Sequence, residues 1–205
     1  MAKKKEYIKE NYNDYVIGID LSLTDSGVSV YSLSEQRLVY TGNCNTDDVR
    51  NLKKYRGYNN NSIKLNIIQE FFEDIKRRFP PKIVIFERGF AKFRKEVAVL
   101  NQVNGIAFSV FWNYSQILYA PTTVKKEIVH GKAEKEVVRD VLLLNVPELK
   151  GNKEFYDNDN ISDAVAVLYT YLLKEKIIPK SKWDKGQFPK SIPKKRKVIK
   201  KNKIN

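Results

Sequence analysis

The chain has 205 residues and a mass of 23.9 kDa, which is enough for one α/β domain with a sizeable core and too little for two. Its 42% of apolar residues exclude a disordered protein, and its one cysteine, Cys44, excludes an internal disulfide and any cysteine-based zinc site. The formal charge of +14 makes a polyanion the expected partner, nucleic acid above all, although any Lys-rich protein from an AT-rich genome would share such a charge.

The N-terminal part of the chain predicts three strands of one sheet. Residues 1–14 form a basic extension, and residues 15–21 (YVIGIDL) are an apolar run rich in β-branched residues, which predicts a buried strand that ends at or near Asp20. Residues 28–33 and 37–44 alternate polar with apolar residues around a short turn, which predicts an antiparallel hairpin.

The middle of the chain predicts a helix followed by a second buried strand. A polar loop, residues 45–61, precedes residues 62–79, where apolar residues recur at helical spacing. Ser62 is the expected N-cap, and two consecutive prolines end the helix. Residues 82–87 (KIVIFE) then form an apolar strand that also ends at a carboxylate, Glu87.

The C-terminal half predicts three helices, one more strand and a tail. Residues 92–115 form a long helix that is apolar on more than one face, so one face could contact the sheet and another a second copy of the chain. A strand over 117–120 and helices over 133–144 and 161–174 complete the expected domain. Residues 176–205 are basic and lack periodicity, which predicts a disordered tail.

Three of the predicted elements carry an acid at one end. Asp20 and Glu87 close strands, and Asp163 lies near the start of the last helix. Hard divalent cations such as Mg²⁺ prefer oxygen ligands, and two such ions roughly 4 Å apart can stabilise an in-line phosphoryl displacement. Acids at strand ends are also common because loops are polar, so each one alone carries little weight. Together, in a chain with a charge of +14, they predict a metal site that acts on phosphate.

Four segments, in order, resemble the signatures of the RuvC-like branch of the ribonuclease H superfamily. The first, GIDLSLTDSGVSVY, contains Asp20, and the second, IVIFERGF, contains Glu87. The third, VKKEIVHGKAEKEVV, has Lys125 and Lys135 at the family's basic positions. The fourth, NISDAVAV, has Asp163 at the terminal catalytic position. The resemblance is collinear over most of the chain, which makes it more specific than any one motif.

The resemblance implies an α/β fold of the ribonuclease-H-like class. This fold would have a mixed five-stranded sheet, its first three strands antiparallel, flanked by helices over residues 15–175. The implied activity is that of a homodimeric crossover junction endodeoxyribonuclease, which hydrolyses phosphodiesters in Holliday junctions or other branched DNA. The implied cofactor is Mg²⁺ or Mn²⁺, two ions per site, bound by Asp20, Glu87 and Asp163.

One residue departs from the family pattern. Family members carry Asp or His one helical turn before the terminal acid, where this chain has Asn160. Residues three apart share a helix face, so Asn160 can still act in catalysis with Asp163, and Asp159 is an alternative metal ligand. Two alternatives stay open: another nuclease of the same fold, such as one acting on RNA–DNA hybrids, and a catalytically silent nucleic-acid-binding module, which Asn160 favours.

Residues around the predicted acidic site are candidates for DNA contacts. Phe90 could stack on an unpaired base or pack in the core, and basic side chains could approach phosphates or remain solvated. The lone histidine, His130, is expected in a solvated loop or at a phosphate and not as a catalytic residue. The predicted DNA-binding set is Phe90, Arg88, Lys92, Arg94, Lys125, Lys132 and Lys135.

No apolar run approaches the ~20 residues that a membrane span needs, and the basic start of the chain lacks the apolar segment of a secretion signal. We therefore expect a cytoplasmic protein without membrane contact. Residues 193–198 (PKKRKV) are typical of a nuclear import signal, so a nuclear or organellar location is expected only if the source is eukaryotic. An arm that binds DNA phosphates explains the same residues.

Overall fold

A computed structural model of the chain describes residues 14–47, 59–88 and 94–187, the last range without the side chains of 94–96. Within these ranges one sheet has the strand order β3-β2-β1-β4-β5. β1, β2 and β3 pair antiparallel, whereas β4 and β5 run parallel to β1. The predicted mixed five-stranded sheet is therefore confirmed. The strands are β1 (Tyr15–Asp20), β2 (Asp25–Ser32), β3 (Arg37–Asn45), β4 (Pro81–Glu87) and β5 (Ser115–Tyr119).

Both faces of the sheet are buried. Side chains alternate along each strand, so neighbouring residues contact different hydrophobic clusters on the two faces. In β1, Ile17 and Ile19 pack into one hydrophobic cluster, whereas Val16 packs into the other. In β4, Val84 belongs to the first cluster and Ile85 to the second. Strands that are covered on both faces read as continuous apolar runs, which is why the sequence reveals β1 and β4 so clearly.

Six α-helices are present in the described ranges, and they lie in two layers. α1 (Asn60–Arg78) and α2 (Arg94–Val110) pack in the cluster on one face of the sheet. None of the described helices is both long enough and apolar enough to cross a membrane. The cluster on the other face contains residues of α3 (Pro121–Ile128), α4 (Lys135–Asn145), α5 (Lys153–Asp157) and α6 (Asp159–Lys174).

Predicted helix boundaries are wrong at α1, α2, α4 and α6; α4, for example, begins at Lys135 and not at residue 133. α1 begins at Asn60 because the side chain of Asn59 accepts hydrogen bonds from the backbone N–H groups of Asn61 and Ser62. Asn59, and not Ser62, is therefore the N-cap. α2 ends at Val110, five residues before the predicted end, and β5 begins two residues earlier than predicted.

The two short helices α3 and α5 were not predicted from the sequence. α3 has eight residues and α5 has five, and neither is long enough to display a helical period. α6 begins at Asp159, two residues before the predicted start, because the side chain of Asn158 caps the N–H groups of Asn160 and Ile161. α6 therefore includes Asp159 and Asn160 in its first turn.

The first twelve residues of the predicted tail, residues 176–187, lie within the described part of the chain. Residues 176–187, the C-terminal segment, pack against the domain. Trp183 is 8% exposed, and its indole N–H donates to the carbonyl oxygen of Ile128 at 3.0 Å. Its ring centroid lies 5.5 Å from that of Tyr169. One buried aromatic in an irregular segment leaves no periodic signal, so the sequence could not reveal it. The basic extension up to residue 13 and the rest of the tail, residues 188–205, lie outside the described residues.

Candidate functional site

Two of the predicted acids lie side by side at one edge of the sheet. β1 and β4 are parallel, and Ile19 and Phe86 form the last pair of their ladder. Asp20 and Glu87 are the next residue of each strand. Because side chains alternate, both acids lie on the face opposite Ile19 and Phe86, which is the face that α6 covers.

α6 approaches the sheet closely because glycines occupy the points of contact. A Cβ atom on Gly18 would lie 2.6 Å from the backbone oxygen of Ala164. A Cβ atom on Gly27 would lie only 2.0 Å from the backbone oxygen of Asn160. No other residue fits at these positions without a shift of the helix. The close contact brings Asp163, in the second turn of α6, within electrostatic reach of the strand acids.

Burial and mutual repulsion disfavour the ionised forms of the strand acids. Burial, together with the negative charges of Asp163 and Asp25, raises the pKa of Asp20 to about 7. Burial, together with the negative charges of Asp20 and Asp163, raises the pKa of Glu87 to about 8. The three predicted acids therefore form one electrostatic unit.

Two lysines supply positive charge to this unit. The ammonium of Lys135 donates to Asp163 Oδ2 at 2.6 Å and lies 3.9 Å from Asp159. Burial lowers the pKa of Lys135, but the bond to Asp163 and the neighbouring acids outweigh burial and leave that pKa raised. Lys125 donates to the carbonyl oxygen of Ala133 at 2.8 Å, which ties α3 to the loop before α4. The positive charges of both lysines oppose the rise in the pKa of Glu87.

The two remaining predicted site residues have other partners. Asp159 forms an ion pair with Arg139 of α4, and its side chain is 53% exposed. The structure thus does not bring Asp159 together with the strand acids. Asn160 donates from its side-chain nitrogen to Asp25 Oδ2 at 3.0 Å. Asp25 stands at the start of β2, on the same side of the domain as Asp20.

The structure describes only some of the residues that were predicted to contact DNA. Arg88 and Lys132 are exposed, as a contact with phosphate requires, and Lys135 is half-exposed. Arg94 begins α2, but its side chain is not among the described parts. Phe90 and Lys92 lie outside the described residues, so their predicted roles remain predictions.

The three acids have the ligand chemistry that a hard divalent cation requires, but their side chains are not close enough together to coordinate one as they stand. Among the described residues, no three His, Cys, Asp or Glu side chains lie close enough together to hold a metal ion as they stand. Asp20, Glu87 and Asp163 nevertheless all offer carboxylate oxygens, and a cation among them would relieve their mutual repulsion. Asp163 would then exchange its bond with the half-exposed Lys135 for the cation.

Sequence reasoning missed two residues of this region, Asp25 and Arg139. Arg139 lies one turn after Lys135 on α4, and residues four apart share a helix face, so its place beside the site was deducible. Asp25 gave no such signal. It lies in a Ser- and Thr-rich segment that is typical of a turn, and its amide partners are distant in sequence.

The sheet order and the placement of the acids define a chain of the ribonuclease-H-like fold. The chain resembles RuvC of Thermus thermophilus, solved in complex with a Holliday junction substrate, with 20% sequence identity and a TM-score of 0.61. This match covers 80% of this chain and 95% of that chain. A second Thermus thermophilus RuvC structure is 21% identical, with a TM-score of 0.61 over 80% of this chain and 96% of that one.

A eukaryotic protein shows the same likeness at lower identity. The yeast mitochondrial Holliday junction resolvase Ydc2 is 11% identical, with a TM-score of 0.54, and the match covers 78% of this chain and 79% of that chain. These likenesses show that the chain has the RuvC-like form of the ribonuclease-H-like fold, as the sequence motifs predict. No protein-family model and no curated protein matches the sequence.

Proposed function

We propose that the chain is a metal-dependent endonuclease that cleaves four-way DNA junctions or other branched DNA. The observation that carries this proposal is the convergence of Asp20, Glu87 and Asp163, from three separate segments, on one face of the sheet. Lys125 and Lys135 border these acids and supply the positive charge that a phosphate backbone needs to approach them. The likeness to RuvC supports the choice of branched DNA as substrate.

We expect Asp20, Glu87 and Asp163 to hold Mg²⁺ or Mn²⁺, two ions per site. When bound, such ions lower the pKa of water and stabilise the attacking and leaving oxygens of the phosphodiester. The chain's own residues would hold the substrate in place. Lys125 and Lys135, with the exposed Arg88 and Lys132, would contact phosphates next to the cleaved bond.

We also propose that the protein is a homodimer that uses the α1–α2 layer. Val103 and Ala107 of α2 are buried in the core, whereas Val97 is 40% exposed. A groove of about 400 Å³ between α1 and α2 is lined in part by Gly105 and Ile106. The exposed apolar surface of α2 suits an isologous contact, which would allow each protomer to cut one strand.

Gly105 offers a clean test of the dimer. A Cβ atom there would meet nothing within 4 Å, so Gly105→Arg leaves the fold of one protomer intact while filling the groove. Light scattering at micromolar concentration should give a dimer for the wild type and a monomer for the variant. A wild-type monomer, or a variant that still dimerises, would contradict this contact.

The decisive experiment for the activity compares three substrates. A labelled four-way junction, a linear duplex of the same sequence and an RNA–DNA hybrid are incubated with the protein, with Mg²⁺, with Mn²⁺ and with a chelator. We expect metal-dependent nicks in the junction and little cleavage of the duplex. Preferential cleavage of the hybrid would instead indicate another nuclease of the same fold.

A second candidate function is a nucleic-acid-binding module without catalysis. Two observations favour it. Lys135 donates a hydrogen bond to Asp163, a predicted metal ligand, and the neutral Asn160 lies one turn before that acid. Such a module would bind the junction as tightly as an enzyme but would leave every substrate intact with either metal. The same experiment therefore separates the two functions.

A further inference from the structure

Asp25 receives three side-chain amides, more than any other carboxylate of the described residues. Asn43 of β3 donates to Asp25 Oδ1 at 2.5 Å. Asn158 and Asn160 both donate to Asp25 Oδ2, at 2.8 and 3.0 Å. Asp25 is half-buried, and it lies close enough to Asp20 for its charge to act on that acid. We call Asp25 and its three asparagines the amide cluster.

The amide cluster joins two strands to the first turn of α6. Asn158 acts in both directions, because its oxygen caps the N–H groups of Asn160 and Ile161 while its nitrogen donates to Asp25. The glycine at residue 27 lets the backbone of Asn160 lie directly on β2. The turn of α6 that precedes Asp163 is thus held by hydrogen bonds and by close packing.

The hydrogen bond to Asp25 also determines which atom of the Asn160 side chain can contact another group. A side-chain amide has one oxygen, which can bind a cation, and one nitrogen, which cannot. Because the nitrogen of Asn160 donates to Asp25, the amide cannot turn that nitrogen toward Asp163 without losing a hydrogen bond to a charged group. Among the described residues no group donates a hydrogen bond to the side-chain oxygen of Asn160, so that oxygen can still accept a partner.

We propose that Asp25 is a positioning residue for this site: it fixes the amide of Asn160 with its oxygen available to the acidic site, and it fixes the helical turn that carries Asp163. The proposal rests on the proposed nuclease function for its catalytic consequence. Asp25 itself acts through Asn160 and is not a ligand, since amide donors already engage both of its oxygens.

Exchanging the two partners tests the proposal. Asn160→Asp sets a carboxylate against the carboxylate of Asp25, and Asp25→Asn removes the charged acceptor. Each single variant should lower the single-turnover nicking rate by about tenfold or more, the factor expected from a lost hydrogen bond to a charged group. The double variant restores one carboxylate–amide pair between residues 25 and 160 and should nick faster than either single variant.

A matched control comes from α1, where Asn66 donates to Glu70 at 2.9 Å. This is the same kind of amide–carboxylate bond, but it is exposed and lies in the other helix layer. Glu70→Gln should change neither nicking nor the melting temperature. Junction binding should stay close to the wild-type value in the exchange variants, because the amide cluster contains no basic residue.

A readout without catalysis separates this proposal from the proposed function. In the wild type, the side-chain NH₂ protons of Asn158 and Asn160 should exchange slowly with solvent by NMR, and Asp25→Asn should accelerate both. If the wild type nicks nothing, the proposed function fails and these exchange rates decide whether Asp25 positions Asn160. Unchanged exchange in Asp25→Asn, or full nicking by Asn160→Asp alone, would overturn the proposal.

Discussion

At the scale of single residues, the acidic site contains more carboxyl groups than lysines: three acids, Asp20, Glu87 and Asp163, lie near Lys125 and Lys135. Burial and the charges of neighbouring acids together raise the pKa of Asp20 to about 7 and that of Glu87 to about 8. Buried acids that repel one another weaken the folded state, and such groups concentrate at sites that bind cations or move protons. These raised pKa values therefore support a functional role for the site over a structural one.

Neutralising Asp20 or Glu87 should abolish DNA cleavage without weakening the binding of the junction. We expect Asp20→Asn and Glu87→Gln to lower Mg²⁺-dependent nicking of a junction by at least about a hundredfold, because several kcal/mol of metal-derived stabilisation is lost. Junction affinity, measured by titration in a chelator, should stay within about threefold of wild type, since binding draws on Lys and Arg.

The control for these variants is Glu136→Gln. Glu136 is an exposed acid on α4, next in sequence to Lys135, and it contributes to none of the raised pKa values of the strand acids. Its neutralisation should leave nicking unchanged. Full activity in Asp20→Asn or Glu87→Gln would remove these acids from the proposed site.

The contact between α6 and β2 also makes a prediction about single residues. Gly27→Ala would force a Cβ atom to 2.0 Å from the backbone oxygen of Asn160, so we expect a loss of about 1–3 kcal/mol of unfolding free energy. Gly131→Ala is the matched control, because the nearest atom there lies 4.0 Å away. Urea unfolding measures both variants, and equal stabilities would mean that α6 is not packed tightly on β2.

The sequence predicts the acids of the site better than their partners. Asp20 and Glu87 could be found because each ends an apolar run, and strand ends in parallel sheets meet at one edge. The role of Asp25 could not be found, because its partners on β3 and α6 become neighbours only after the sheet and α6 have packed. Long-range hydrogen bonds of this kind leave no local pattern.

At the scale of elements, the C-terminal segment (residues 176–187) fastens two helices that carry basic site residues. Trp183 donates to the last residue of α3, Ile128, at 3.0 Å. Asp184 and Asn145, the last residue of α4, exchange two hydrogen bonds of 2.7 and 2.6 Å. The segment thus holds together the ends of α3 and α4, the helices that contain the two site lysines.

We expect Trp183 to carry most of this contact. Trp183→Ala should lower the unfolding free energy by about 3–5 kcal/mol, because a large buried ring is lost. Trp183→Phe keeps an aromatic ring and loses the bond to Ile128, so it should cost only about 1 kcal/mol. A chain ending at Gln187 keeps the contact and should unfold like the full chain in urea. Equal stability of Trp183→Ala and wild type would mean that the segment does not support the domain.

Elements could be predicted from the sequence in proportion to their length and burial. The five strands and the long helices α1, α2, α4 and α6 appear in the predicted order, because sustained periodicity identifies them. α3 and α5 could not be predicted, since five to eight residues form little more than two helical turns. Helix starts were misplaced where asparagine caps lie in polar runs, as at Asn59 and Asn158.

At the scale of the whole molecule, positive charge is concentrated at the C-terminal end of the chain. Lys185 donates to the carbonyl oxygens of Lys126 and Val129 at the end of α3, so the chain passes Gln187 on the side of the basic helices. Beyond that point the sequence contains no acid and eight basic residues: Lys190, Lys194, Lys195, Arg196, Lys197, Lys200, Lys201 and Lys203. These charges account for a large part of the net charge of +14.

We expect this basic tail, residues 188–205, to add affinity for DNA without choosing the substrate, because charge of one sign interacts with any phosphate backbone. A chain ending at Gln187 should bind a four-way junction and a linear duplex more weakly by similar factors. The slope of log affinity against log salt should fall by roughly 0.9 for each phosphate contact that is lost on duplex DNA, as measured by titrations at several salt concentrations. Nicking at saturating protein should persist, since the acids and Trp183 are retained. A loss of the preference for branched over linear DNA in the shortened chain would show instead that the tail recognises the junction.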